Sequence, residues 1–191
     1  MEKRNYEVKR ATWGGRFEFF LSCVGYTIEV VCPDPVADRL RATFGAAVVA
    51  MRAGETREFG AVRVTALPAE GPERDGRPSG FLPRGAGLAY LVESDGGRFL
   101  FLGDSAVLPE HEGHAPDVAF VAVGGMVTCT PEEAVEAVGT LGAGVLVPVH
   151  WGDLEARHAA ATRFVEACAE RGVAAEPPLG GGSAPAATDT R

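Results

Sequence analysis

The stretch Arg98-Phe99-Leu100-Phe101-Leu102-Gly103-Asp104-Ser105 limits what this chain can fold into more than any other part of it. Four apolar residues in succession, preceded by the turn residues Asp95-Gly96-Gly97, predict a strand covered on both faces. The run stops abruptly at a glycine and a carboxylate. Side chains that do chemistry are often placed where such strands end, so Asp104 is the first candidate. A second run of the same shape, Val145-Leu146-Val147-Pro148-Val149-His150-Trp151-Gly152, ends in a histidine. Two strands thus each offer one metal-capable or acid–base group at a terminus.

Composition narrows the class. A chain of 191 residues suits one domain, expected over 1–179, with the small polar residues 180–191 forming a disordered tail. The formal charge of -8 and a pI near 5.0 argue against a nucleic-acid or anionic-membrane partner; a small-molecule substrate or ligand is expected, its identity open. Cys23, Cys32, Cys129 and Cys168 lie far apart with no C-x-x-C pair, so neither a zinc knuckle nor a redox motif is visible. No stretch approaches the ~20 apolar residues of a membrane span, and the charged start leads into no secretory segment; a cytoplasmic location is expected.

In chain order, Phe17–Leu21 and Tyr26–Val31 read as one or two strands, Pro33-Asp34-Pro35 stops them, and apolar residues at 36, 40 and 44 predict a helix that Asp34 could cap. Residues 47–51 and 62–67 read as an antiparallel pair. The prolines, glycines and charges of 68–87 make a loop of about 20 residues, long enough to suggest a functional role. Residues 87–92 and 99–102 form a hairpin, and 118–123 a further strand ending at Gly124-Gly125. Thr130-Pro131-Glu132-Glu133 opens a helix, with threonine at the N-cap, proline next and acids in the first turn. Leu154 to Arg171 reads as a closing amphipathic helix stopped by Gly172.

Taken in order, Leu100–Ser105, Asp117–Gly125, Thr130–Ala134 and Val147–Gly152 resemble the C-terminal half of metallo-β-lactamase-fold hydrolases, over roughly residues 30 to 172, in a branch similar to the ascorbate-6-phosphate lactonases. The resemblance implies an α+β architecture, a four-layer αββα sandwich with its site along one edge of the strands. It implies that Asp104 is the carboxylate bridging two metal ions and that His150 binds one of them. The ions would be zinc, polarising a scissile carbonyl or phosphoryl oxygen and lowering the pKa of bound water, so the chemistry implied is hydrolysis of an ester, lactone or phosphodiester.

The chain departs from that pattern. The family's H-x-H-x-D-H cluster should precede Val30–Pro35, yet no histidine occurs before His111. A further ligand histidine is expected after the strand ending at Ala69, where this chain has Glu70-Gly71. A catalytic zinc normally takes three protein ligands with an open fourth position, so Asp104 and His150 alone hold one poorly. The first 30 residues read as an atypical, truncated or altered N-terminus, and the chain as a metal-deficient relative, weakly active or inactive.

Other residues have simpler readings. His111 and His114 are expected in a solvent-exposed loop, and His158 on the polar face of the last helix. Glu70, Glu73 and Asp75 could replace missing ligands but read mainly as solvated charge. Cys129, beside a helix start, is expected to be a buried structural thiol. Gly103-Asp104-Ser105 also resembles the nucleophile block of GDS-type serine esterases, with Ser105 as nucleophile and His150 as base. A non-catalytic small-molecule or partner-binding module, using loop 68–87, is the alternative from another class.

Overall fold

The computed structural model describes residues 7–13, 16–22, 29–77, 80–150 and 157–176. It contains two compact units, residues 1–51 and 52–191. In the first, β1 (Glu7–Trp13) and β2 (Arg16–Ser22) form an antiparallel hairpin. Strand β3 (Val30–Pro33), helix α1 (Asp34–Phe44) and strand β4 (Val48–Met51) make a βαβ unit with β3 and β4 parallel. The helix buries Ala37 and Leu40 against Cys32 and Val48. Pro33, not Asp34, is the N-cap residue; Asp34 sits in the first turn, where a carboxylate favours the positive end of the helix.

The second unit is built on a six-stranded sheet in the order β10-β9-β8-β7-β6-β5. Strands β5 (Thr56–Phe59), β6 (Val62–Ala69), β7 (Gly87–Ser94) and β8 (Gly97–Phe101) form an antiparallel meander. Strands β9 (Val118–Ala122) and β10 (Val145–Val149) then add in parallel to β8. The expected pairing of 47–51 with 62–67 is corrected here. The α1 crossover carries β4 alongside β3, and Thr56–Phe59, a strand the sequence pattern did not signal, pairs with β6 instead.

One face of the sheet carries the core. Leu91, Leu100, Ala119, Val121 and Leu146 cluster with Ala134, Val135 and Val138 of α2 (Pro131–Val138) and with Phe164 and Cys168 of α3 (Arg157–Glu170). Burying residues of this size at roughly 1.5–3 kcal/mol each makes this packing the main favourable term in the unit. The strand through Phe101 is not covered on both faces as expected: Leu100 is buried, whereas Phe101 is 41% exposed and stacks on Phe120 at 4.6 Å. Period two wins over the apolar run. Helix α2 starts with a reciprocal capping box, Thr130 Oγ accepting from the Glu133 amide and the Glu133 carboxylate from the Thr130 amide. Helix α3 ends at Gly172, which takes a left-handed φ of 68° while the Val173 amide returns to the Cys168 carbonyl. The part of the predicted helix before Arg157 and the predicted tail lie outside the described residues.

The region 102–117, which carries the chain from β8 to β9, contains the largest departure from expectation. His111 is fully buried rather than solvent-exposed. Its Nδ1 accepts from the Leu108 amide at 3.0 Å, so its proton is on Nε2, which donates to the Pro68 carbonyl at 2.8 Å. The ring satisfies two part-buried backbone groups and ties this region to the end of β6. Burial holds its pKa below the ordinary histidine value, against the bond to Pro68 and the charge of Glu110. His111 therefore stabilises the fold fully above the ordinary pKa of about 6.5, and this contribution is lost as pH falls through its own lowered value. Replacing it with alanine leaves a cavity and two orphaned backbone groups. His111→Ala should cost about 3 kcal/mol in urea unfolding at pH 8, and the difference from wild type should shrink on acidification.

Candidate functional site

The parallel run β8-β9-β10 brings three C-terminal strand ends to one edge, with β9 between the other two. Beyond β8 the Leu102 amide still reaches the Phe120 carbonyl, and then Gly103 turns the chain with φ 60°, a conformation that costs glycine little. Asp104 follows. On the far side, the Val123 amide bonds the Val149 carbonyl at 3.0 Å and His150 comes next. Its φ of 48° is unusual for a residue with a Cβ and is strained backbone of the kind that functional sites hold.

Flanking strands separated by a third stand about 10 Å apart, yet the two side chains meet across the end of β9. His150 Nδ1 lies 2.5 Å from Asp104 Oδ1. A carboxylate only accepts, so Nδ1 carries the proton and Nε2 is the nitrogen left for other partners. The pair is open to solvent, with side-chain exposures of 41% for His150 and 29% for Asp104. The hydrogen bond to Asp104 raises the His150 pKa, its charge adds to the effect, and partial burial works against both.

The other candidates do not join this pair. The Ser105 hydroxyl is buried and committed to backbone: it lies 3.1 Å from the Glu70 carbonyl and 2.7 Å from that of Ala106, and accepts from the Glu70 amide at 3.0 Å. That corrects the serine-nucleophile reading, because the hydroxyl is turned into the fold and away from a base. The Glu70 carboxylate pairs with Arg84, which also bonds Glu110. Among the described residues no group of three His, Cys, Asp or Glu side chains could hold a metal ion. Asp104 and His150 supply two donors, each with one donor atom already spent on the other. These residues do not fit a catalytic metal centre by themselves.

Cys129 is buried, and desolvation, aided by Glu133 and opposed by Arg74, pushes its thiol up to about 11, so it is a protonated structural thiol as expected. His114 bonds the Glu110 carbonyl at 3.2 Å. The His158 side chain lies outside the described residues. The loop after β6 proves to be anchored: Arg74 bonds Glu133 at 2.7 Å and the Thr128 carbonyl at 2.8 Å. Nothing in the sequence around Arg74 signalled this, because an arginine between prolines and acids reads as solvated charge.

Residues 16–151 match the family model of the beta-lactamase superfamily domain. The chain belongs to the metallo-β-lactamase superfamily. It is similar to a metal-dependent hydrolase of Nitratidesulfovibrio vulgaris strain DP4, 31% identical over 117 residues that make up 59% of this chain and 46% of that protein. A metal-dependent hydrolase of Methanoregula boonei is 29% identical over 154 residues, 78% of this chain and 69% of the relative. Among solved structures, Igni18, a metallo hydrolase of Ignicoccus hospitalis, superposes with a TM-score of 0.61 at 18% identity, covering 78% of this chain and 64% of its own. The chain spans about half the length of most of the curated relatives it matches.

The sign of the His150 shift sets a titration experiment. A raised pKa means that the pair stabilises the fold fully below the ordinary histidine pKa and loses that contribution as pH rises through the folded value, in the opposite sense to His111. Asp104→Ala should move the His150 titration, followed by NMR, to lower pH than in the wild type.

Proposed function

We propose that this protein is a hydrolase-like member of the superfamily that retains two ligand positions of a metal centre, Asp104 and His150, and is weakly active or inactive on ester, lactone or phosphodiester substrates as it stands. The single observation that carries the reading is the meeting of these two side chains across the end of β9. The kinship to metal-dependent hydrolases supports the reaction class, and the donor count supports the reduced activity. Residues 1–179 are taken as one functional domain, with zinc as the ion the two donors would favour and the cytoplasm as the expected location; no helix among the described residues is long and apolar enough to cross a membrane.

Within this reading each side chain has a definite task. Asp104 holds the imidazole by Nδ1 and so fixes which nitrogen faces outward. His150 presents Nε2 at an open strand edge, where it can hold a cation or accept a proton from water. A metal, where one is bound, would supply Lewis-acid polarisation of the scissile group. The same two-donor arrangement favours a second reading, a non-catalytic module of the same fold that binds a small molecule or partner.

Elemental analysis of the purified, desalted protein should find zinc well below one ion per chain, and turnover of lactone, phosphodiester and thioester substrates should be slow with or without added zinc or manganese. Stoichiometric, tightly held zinc would sink the metal-deficient reading. Metal-stimulated turnover abolished by Asp104→Ala would exclude the inert module, and its absence under every metal condition would favour that module.

A further inference from the structure

Arg74 lies in the chain between β6 and β7, remote in sequence from both site residues, yet its guanidinium makes four hydrogen bonds, three of them to the segment after β9. One nitrogen bonds the Glu133 carboxylate at 2.7 Å and the Glu73 carbonyl at 3.0 Å; the other bonds the carbonyls of Gly125 at 3.3 Å and Thr128 at 2.8 Å. Glu133 is shared, since its second oxygen accepts from the Thr130 amide in the capping box of α2. Only a planar fork with several donors can meet a carboxylate and two carbonyls at once.

The segment so held adjoins the backbone bond that ties β9 to the strand ending at His150. The Thr128 hydroxyl accepts from the amides of Gly124 and Gly125 at 2.9 and 3.3 Å, closing the turn at the end of β9. Val123, the residue before that turn, donates to the Val149 carbonyl, and Val149 is bonded to His150. His150 itself holds a left-handed backbone conformation that a free strand end would relax. The turn has ties of its own, the Thr128 hydroxyl and the bond from the Gly125 amide to the Cys129 carbonyl, and the Arg74 bonds to the Gly125 and Thr128 carbonyls add to them from outside.

We propose that Arg74 is a positioning residue for His150: by clamping the turn Gly124–Thr130 to α2 through Glu133, it keeps the end of β10 in register with β9 and holds the imidazole against Asp104. The inference rests on the reading of Asp104 and His150 as the functional pair. Arg74 hydrogen-bonds neither of them and acts through the carbonyls of the turn and the Glu133 carboxylate. Its loss releases the turn, frees the Val149 carbonyl and lets His150 leave its strained conformation.

Two readouts test this on the full chain, in wild type, Arg74→Ala, Arg74→Lys and Glu133→Gln. Long-range ¹H–¹⁵N spectra at pH 8.5 report whether His150 is held as the Nδ1-protonated form; mass-mapped labelling of Cys129, buried at the end of the clamped turn, reports opening of the turn. In Arg74→Ala the single tautomer should give way to a mixture, and Cys129 labelling should rise about tenfold, the scale of one charge-assisted hydrogen bond lost. Lysine should not restore the tautomer, because it cannot fork, and Glu133→Gln, which keeps an acceptor for the Thr130 amide, should show a smaller change in the same direction. Should Arg74→Ala fail to fold, the lysine and glutamine variants decide. An unchanged His150 tautomer beside faster Cys129 labelling overturns the positioning role, as does the absence of both changes. A wild type that lacks the single tautomer removes the Asp104–His150 pair itself, whereas a wild type that has it and turns over no substrate leaves the clamp standing and bears only on the proposed activity.

Discussion

The parallel alignment of β8, β9 and β10 is the constraint from which the rest of the second unit follows. Strands in a meander end alternately at opposite edges, so no two neighbours could present their C-terminal residues side by side; three parallel strands must. Parallel strands in turn require crossovers. Here the region 102–117 and the segment containing α2 serve, and each needs its own anchors. His111 anchors the first by bonding Leu108 and Pro68, and the capping box with Ala134, Val135 and Val138 anchors the second. The middle strand, which ends at Ala122, is followed by Val123 and the glycines Gly124-Gly125. An edge of this kind is where open sheets with parallel strands place their ligands.

Membership in the superfamily and possession of its chemistry are separate matters in this chain. The fold depends on buried apolar contacts spread over many residues, and changing a few of them leaves it recognisable. A metal centre depends on a small number of donors at fixed positions, and losing one costs far more than its share, because affinity rests on the ligands acting together. Among the described residues Asp104 and His150 mark the edge with two donors, one short of the three protein ligands a catalytic zinc normally takes. In their mutual hydrogen bond the carboxylate accepts from the ring N–H and the ring is held in place.

Much of the fold was legible because local signals and tertiary packing agreed. The start of α2 could be read from Thr130, Pro131 and Glu133 since capping is a matter of backbone groups within one turn. The β7–β8 hairpin could be read from Asp95-Gly96, and the stop of α3 from Gly172, for the same reason. Asp104 and His150 were found because each ends an apolar run, although only the parallel topology makes them neighbours. What escaped depended on partners distant in the chain. Thr56–Phe59 is a polar edge strand with no alternating pattern; β4 follows a crossover to β3; and Ser105 and Arg74 take their roles from backbone carbonyls that no side-chain pattern encodes.

The two histidines show how little residue type alone decides. His111 sits among prolines, glycines and acids, the company of a surface loop, yet the chain folds it inward because two backbone groups there need a partner that both donates and accepts. A neutral imidazole meets both needs, and burial keeps it neutral. His150 ends an apolar run, the company of a core residue, yet it stands half open beside a carboxylate that favours its protonated form. Environment moves the pKa values of the two rings in opposite directions. His111 gives its hydrogen bonds to the fold, whereas His150 spends one nitrogen on Asp104, and its other nitrogen, positioned by that bond, takes no partner among the described residues.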